Sequence, residues 1–176
     1  MRTTFLILCI LLISYNTDAQ INDTINWRPD YKLRWKDFIA APEANSNAAA
    51  ASYCNIIFRN YTTDTFVNIK VYCYFNKTQS WSRHKTEALL LKHEQGHFDI
   101  AELFARKFRK IIAGYKNDYD SLKKDIVVLY NNINSERMKY DNLYDAETES
   151  SKNRKMQNIW NEKILNEIKQ LKEFAK

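Results

Sequence analysis

Apolar and polar positions alternate along two neighbouring stretches of this chain. In "SYCNIIFRN", Cys54, Ile56 and Phe58 interleave with Asn55 and Arg59; in "FVNIKVYCYF", Ile69, Val71 and Cys73 interleave with Asn68 and Lys70. A period of two predicts half-buried strands. The intervening "YTTDT" carries turn-type residues, so the two runs predict a hairpin. Centred between Thr63 and Asp64, it sets Cys54 opposite Cys73, Ile56 opposite Val71 and Phe58 opposite Ile69, all on one face. Asn55, Arg59, Asn68 and Lys70 fall on the solvent face.

From about His84 to Ala113 the period lengthens. Leu89, His93, His97, Ile100, Phe104, Phe108 and Ile111 recur at three- and four-residue spacing, which predicts a helix stopped by Gly114. A second helix is expected from Asp118 through Ile133 towards Lys139, with "YDNLYDAETESSKN" as a break. A third is expected over Asn153 to Ala175, carrying a stripe of Met156, Trp160, Ile164, Ile168 and Leu171. Ahead of the hairpin, Gln20 to Asn26 reads as a polar lead-in. "YKLRWKDFIAAP" reads as a strand or extended segment, and "EANSNAAAAS" as a small-residue linker. "NKTQSW" is a loop. Strands first and helices after suggest an α+β fold: a small N-terminal antiparallel sheet, then the histidine-bearing helix and two more.

The first residues change the picture of where the chain works. "MRTTFLILCILLISYNTDAQ" has an arginine, an apolar run from Phe5 to Ile13 and a polar stretch ending in Ala19. This is the layout of a secretory signal peptide, expected at residues 1–19 with cleavage before Gln20. The apolar run is too short to span a bilayer, and Cys9 lacks the small residue before it that a lipoprotein signal needs. Residues 20–176 are then one exported domain, periplasmic or extracellular, with no membrane span after cleavage. Cys54 and Cys73 remain, and an even count in an exported chain favours a disulfide between them. The net charge of +6 is spread over predicted helices, and no nucleic-acid partner is expected. With two glycines in the whole chain, a phosphate-cradling loop cannot be built.

The chemistry concentrates in "LKHEQGHFDIAELFARKF". His93, Glu94 and His97 match H-E-x-x-H. Positions four apart on a helix differ by about 40°, so both imidazoles can reach one Zn2+ ion. Glu94 lies about 100° round from His93, outside the ligand set but near a metal-bound water whose proton it can take. The two histidines sit on the apolar face, where a solvated charged helix would not put them. A catalytic zinc needs a third protein ligand. His84 and Glu102 are each nine residues from His93 and point away, and Asp99 is about 240° round. Glu102 is better placed as a surface partner of Arg106 at i, i+4. The third ligand is therefore expected in "YDNLYDAETES", from Asp141, Asp145, Glu147 or Glu149; a plain helix cap by Asp145 or Glu147 is the rival role.

"HEQGHFDIAELFAR" resembles the signature of a bacterial family of secreted zinc-dependent proteases known mainly as a domain of unknown function. "LRWKDF", "AAAAS", "SWSRHKTEALLLKHEQGHFDIAE" and "YDAETESSKNRKMQNIW" are similar to further blocks of that family, in the same order. The resemblance implies a zincin-like metallopeptidase acting on a peptide or protein substrate. Through the block similar to the family's Y-D-x-E-T pattern it selects Glu147 as the third ligand. Tyr144 would then lie close enough to steady the oxyanion of a tetrahedral intermediate. One departure matters: the family block usually has a histidine two residues after the threonine, where this chain has Ser150. That favours, as the alternative, a catalytically altered, non-enzymatic envelope or binding protein on the same scaffold. A basic helical protein binding anionic polymers is a third reading.

Overall fold

A computed structural model describes residues 23–63, 66–115 and 118–176. The expected signal peptide at residues 1–19 lies outside them. The two alternating runs form long antiparallel strands, β3 (Cys54–Thr63) and β4 (Phe66–Asn76). A short strand β1 (Thr24–Asn26) pairs with the far edge of β4, giving the order β1-β4-β3. Three residues are too few to show a period, so this strand hid in the polar lead-in. A second, two-stranded ladder joins β2 (Ala50–Ala51) to β5 (Trp81–Ser82). The small-residue linker is thus part strand. "YKLRWKDFIAAP" is extended, with one 3-10 turn at Trp35–Asp37 rather than a strand. Its backbone pairs irregularly: Ile39 N–H donates to Lys77 O at 3.0 Å and Leu33 N–H to the Gln95 side chain at 2.8 Å.

The hairpin register differs from the expected one by two residues. Thr63 pairs with Phe66, so Cys54 stands opposite Phe75, Ile56 opposite Cys73 and Phe58 opposite Val71. A shift of two keeps every side chain on its face, so the inward set is as expected. The cysteines, however, become diagonal neighbours, about 7–8 Å apart in such ladders and beyond disulfide reach. Both are free, buried thiols. Burial pushes the pKa of each up, which leaves them as small hydrophobes rather than nucleophiles.

Three helices follow: α1 (Ala88–Gly114), α2 (Tyr119–Thr148) and α3 (Arg154–Gln170). The α+β class is as expected. α1 lies between the sheet and the α2–α3 pair, and packs on β3, β4, α2 and α3. Phe75 meets Phe98 with ring centroids 5.9 Å apart, and Phe58 meets Phe108 at 6.0 Å. Covered on both sides, α1 is buried almost all round from Phe98 to Arg106. Glu102 is therefore not on the surface: its carboxylate is buried and accepts from Arg106 at 2.9 Å and Arg109 at 3.0 Å. α2 continues well past Lys139. Ile133, Tyr144 and Thr148 keep a buried stripe through the polar segment that was expected to break it. The break comes at Glu149, Ser150 and Ser151, which have φ of 51°, 48° and 82° in the left-handed region. Asn153 then caps α3, its side chain accepting from Met156 N–H at 3.2 Å. Among the described residues no helix is long and apolar enough to cross a membrane.

Candidate metal centre

His93 and His97 occupy one face of α1, and Asp145 on α2 faces them. His93 Nε2 and His97 Nε2 are 3.2 Å apart, and Asp145 Oδ1 is 3.1 Å from each. These three residues are the metal-capable group among the described residues. The other ring nitrogens are tied down. His97 Nδ1 is 3.0 Å from Asp141 Oδ1, an acceptor, so Nδ1 carries the proton. His93 Nδ1 lies 3.1 Å from Gln157 Oε1 and 3.4 Å from Thr148 Oγ1. The Thr148 hydroxyl proton is already given to Tyr144 O at 2.6 Å, so Thr148 can only accept from His93. Both Nε2 atoms are turned inward to one point beside the Asp145 carboxylate. These three donors could hold a metal ion, and the outer ring nitrogens already have their hydrogen bonds.

Charge supports that reading. Burial opposes protonation of His97, but its hydrogen bonds to Asp141 and Asp145 outweigh burial and raise its pKa to about 10 without a metal. Burial likewise works against ionised Asp145, yet the bonds to His93 and His97 hold it well below the usual carboxylate range. His97 thus carries a second proton among carboxylates in the metal-free protein, and a cation binding there would displace it. A cleft of about 520 Å³ opens over the group. Residues 47–52, including β2, line it together with Arg83, His84, Glu149, Ser150 and Lys152.

Glu94 reaches the same cleft. Its Oε2 accepts from Ser52 Oγ at 2.7 Å, and its carbonyl lies 3.4 Å from the same hydroxyl. Glu94 is thereby anchored to the β2 side and kept out of the His–His–Asp set. Glu147 is elsewhere: its Oε2 accepts from Trp160 Nε1 at 2.7 Å. Two residues along a continuous helix is a rotation of about 200°, so Asp145 and Glu147 cannot both face the histidines. Asp141, four residues before Asp145, shares its face and serves His97 from outside. Glu149 is at the rim. His84 is exposed and pairs loosely with Glu87 at 3.7 Å.

Tyr144 is near the histidines but not in the cleft. Its ring stacks on His93 with centroids 4.7 Å apart, and its hydroxyl donates to His93 O at 3.0 Å. Gln157 Nε2 donates to the same hydroxyl at 2.6 Å. Fully buried and so engaged, with burial raising its pKa, it supports His93 from behind and is not placed to meet an oxyanion. It also explains Gly96. A Cβ there would run into the Tyr144 hydroxyl and stand 2.6 Å from its Cζ. Glycine lets α2 approach α1 at the turn that carries both histidines. Three residues of the site went unforeseen: Ser52, Thr148 and Gln157. Gln157 had a signal, since it extends the buried stripe of Trp160, Ile164 and Ile168 one turn earlier.

Residues 75–153 match a family described as a bacterial protein of unknown function (DUF922). No curated protein and no solved structure matches the chain. The matched span contains His93, Glu94, His97, Asp141 and Asp145. Ser52 and Gln157, which brace Glu94 and His93, lie outside it.

Proposed function

We propose that the chain is a zinc-dependent peptidase that binds its metal through His93, His97 and Asp145 and uses Glu94 as general base. The observation that carries this is the convergence of three donor atoms on the floor of an open cleft, with a separate carboxylate anchored beside them. Zinc held there supplies a Lewis acid for the scissile carbonyl and lowers the pKa of water. The protein does the rest. Asp141 and the Gln157–Thr148 pair keep both imidazoles in the tautomer that offers Nε2. Ser52 occupies Glu94 Oε2, which leaves Oε1 to take a proton from the attacking water and pass it to the leaving amine. The cleft lining at residues 47–52, one asparagine, four alanines and a serine, has small side chains that leave room for an extended chain.

Glu94→Gln tests the reading. The variant should bind zinc as the parent does and lose hydrolysis of a denatured protein by at least about a hundredfold. Loss of zinc with that substitution would make Glu94 a ligand instead. Ser150, at the rim in a left-handed turn, favours a second reading: a metal-binding protein without hydrolysis on the same scaffold. Zinc uptake by the parent with no cleavage of any peptide library would select it.

A further inference from the structure

The outer face of the three-stranded sheet is unused by the reading above. α1 packs on β3 and β4, where Ile56, Val71, Cys73 and Phe75 are buried. The outward positions follow from the register: Asn55 is opposite Tyr74, Ile57 opposite Tyr72, Arg59 opposite Lys70 and Tyr61 opposite Asn68. A concavity of about 700 Å³ lies on this face, lined by Asn26, Arg59, Tyr72, Tyr74, Asn76 and Lys176 among others.

Charge on this face is one-sided at a cost to the fold. Arg59 and Lys70 are both exposed and stand directly across the ladder from each other. Like charges in that position destabilise a sheet. Lys176 adds a third cation, its Nζ 4.0 Å from the centre of the Tyr72 ring. Arg59 lies over the same ring at 5.8 Å, and Lys70 over Tyr61 at 5.5 Å. Among the described residues, no Asp or Glu side chain forms an ion pair with any of the three. The acidic residue in the lining is Asp23, beside β1. Between the cations the surface is mostly aromatic and amide, Tyr61, Tyr72 and Tyr74 with Asn26, Asn55 and Asn76, and Ile57 is its aliphatic member.

We propose that this face binds an anionic polysaccharide of the polyuronate class. The tyrosine rings offer flat surfaces to pyranose faces. Each asparagine amide both donates and accepts, which suits vicinal hydroxyls. Arg59, Lys70 and Lys176 meet sugar carboxylates, and an anion between Arg59 and Lys70 relieves their mutual repulsion. A nucleic acid is the less suited polyanion, since cations here are outnumbered by groups that recognise hydroxyls.

Affinity electrophoresis of the full chain tests this, with polygalacturonate, dextran or oligothymidine as the probe. Polygalacturonate should retard the parent, less so as salt rises, and dextran should not. Arg59→Ser with Lys70→Ser should weaken binding by about tenfold or more. Lys123→Ser with Lys124→Ser removes the same charge from exposed positions on α2 and should leave binding unchanged. Tyr74→Ala should weaken it with no change of charge. A parent that polygalacturonate does not retard, equal losses in the two double variants, or tighter binding to oligothymidine would each overturn the proposal.

Discussion

Asp145 and Glu147 are two residues apart on α2, and the structure gives them opposite duties that substitution can separate. Asp145→Asn removes a carboxylate oxygen that lies 3.1 Å from both inward-facing imidazole nitrogens. An amide is a far poorer metal ligand. Loss of a group merely hydrogen-bonded to a ligand lowers metal affinity about 10–100-fold. Loss of a ligand itself should exceed that range, so zinc affinity should fall by more than about 100-fold, or about 2.7 kcal/mol. Glu147→Leu acts on another quantity. It leaves the buried Trp160 Nε1–H without the acceptor now at 2.7 Å. An unpaired buried donor costs about 1–3 kcal/mol. For a domain of this size that lowers the melting temperature by about 3–10 °C. Zinc affinity should be unchanged, because the Glu147 side chain points away from the histidines. Both variants can be read by competition with a chromogenic chelator, alongside thermal unfolding of the metal-free protein. Retained zinc in Asp145→Asn together with lost zinc in Glu147→Leu would refute the assignment of the third ligand.

Three further outcomes follow from the same geometry. Gly96→Ala improves helix propensity by about 1 kcal/mol, yet the added methyl meets Tyr144; a net loss of about 1–3 kcal/mol is expected by chemical denaturation, and a more stable variant would contradict the close approach of α2. Cys54 and Cys73 should both react with a thiol reagent in denatured, unreduced protein, and neither in the folded protein; a mass two hydrogens low before reduction would show a bridge instead. In metal-free protein His97 has its pKa raised from 6.5 to about 10, so its stabilising contribution is complete below about pH 6.5 and is lost as pH rises through about 10. The melting temperature of the chelator-treated parent should therefore fall over that window more than that of His97→Gln, and zinc binding at pH 8 should release a proton detectable by calorimetry in buffers of different ionisation enthalpy.

What the sequence made readable depended on how long each pattern ran. Alternating runs of nine and ten residues gave the right strands and faces for β3 and β4, even with the register two residues out, because a shift of two preserves parity. The register itself rested on a turn whose composition suits several loop lengths. β1 and β2 are two or three residues long and carry no period, so their pairing is visible only once β4 and β5 exist to receive them. Glu102, Arg106 and Arg109 look like a surface ladder by residue type. Glu102 and Arg106 are buried, and Arg109 is half-buried, because α1 is covered on both sides, a property of the assembled layers and not of the helix.

The metal centre shows the same limit at the level of single residues. H-E-x-x-H was readable because all its information lies within one helical turn. Polarity makes "YDNLYDAETES" read as a break, and without helical spacing across it nothing separates Asp145, which faces the histidines, from Glu147, which does not. Tyr140, Tyr144 and Thr148 continue the inward face there at four-residue steps, with Tyr140 packing edge-on to Phe104 and Trp160. Once α2 is continuous, Asp141 and Asp145 form a second i, i+4 pair, matching His93 and His97 on α1. The two pairs interlock: Asp145 meets both Nε2 atoms, and Asp141 holds the Nδ1 of His97. Glycine at position 96 lets the helices come close enough for this, and Tyr144 fills the space that glycine leaves. The site is therefore specified by two helical periods and one small residue, and only the first period sits inside the recognisable motif.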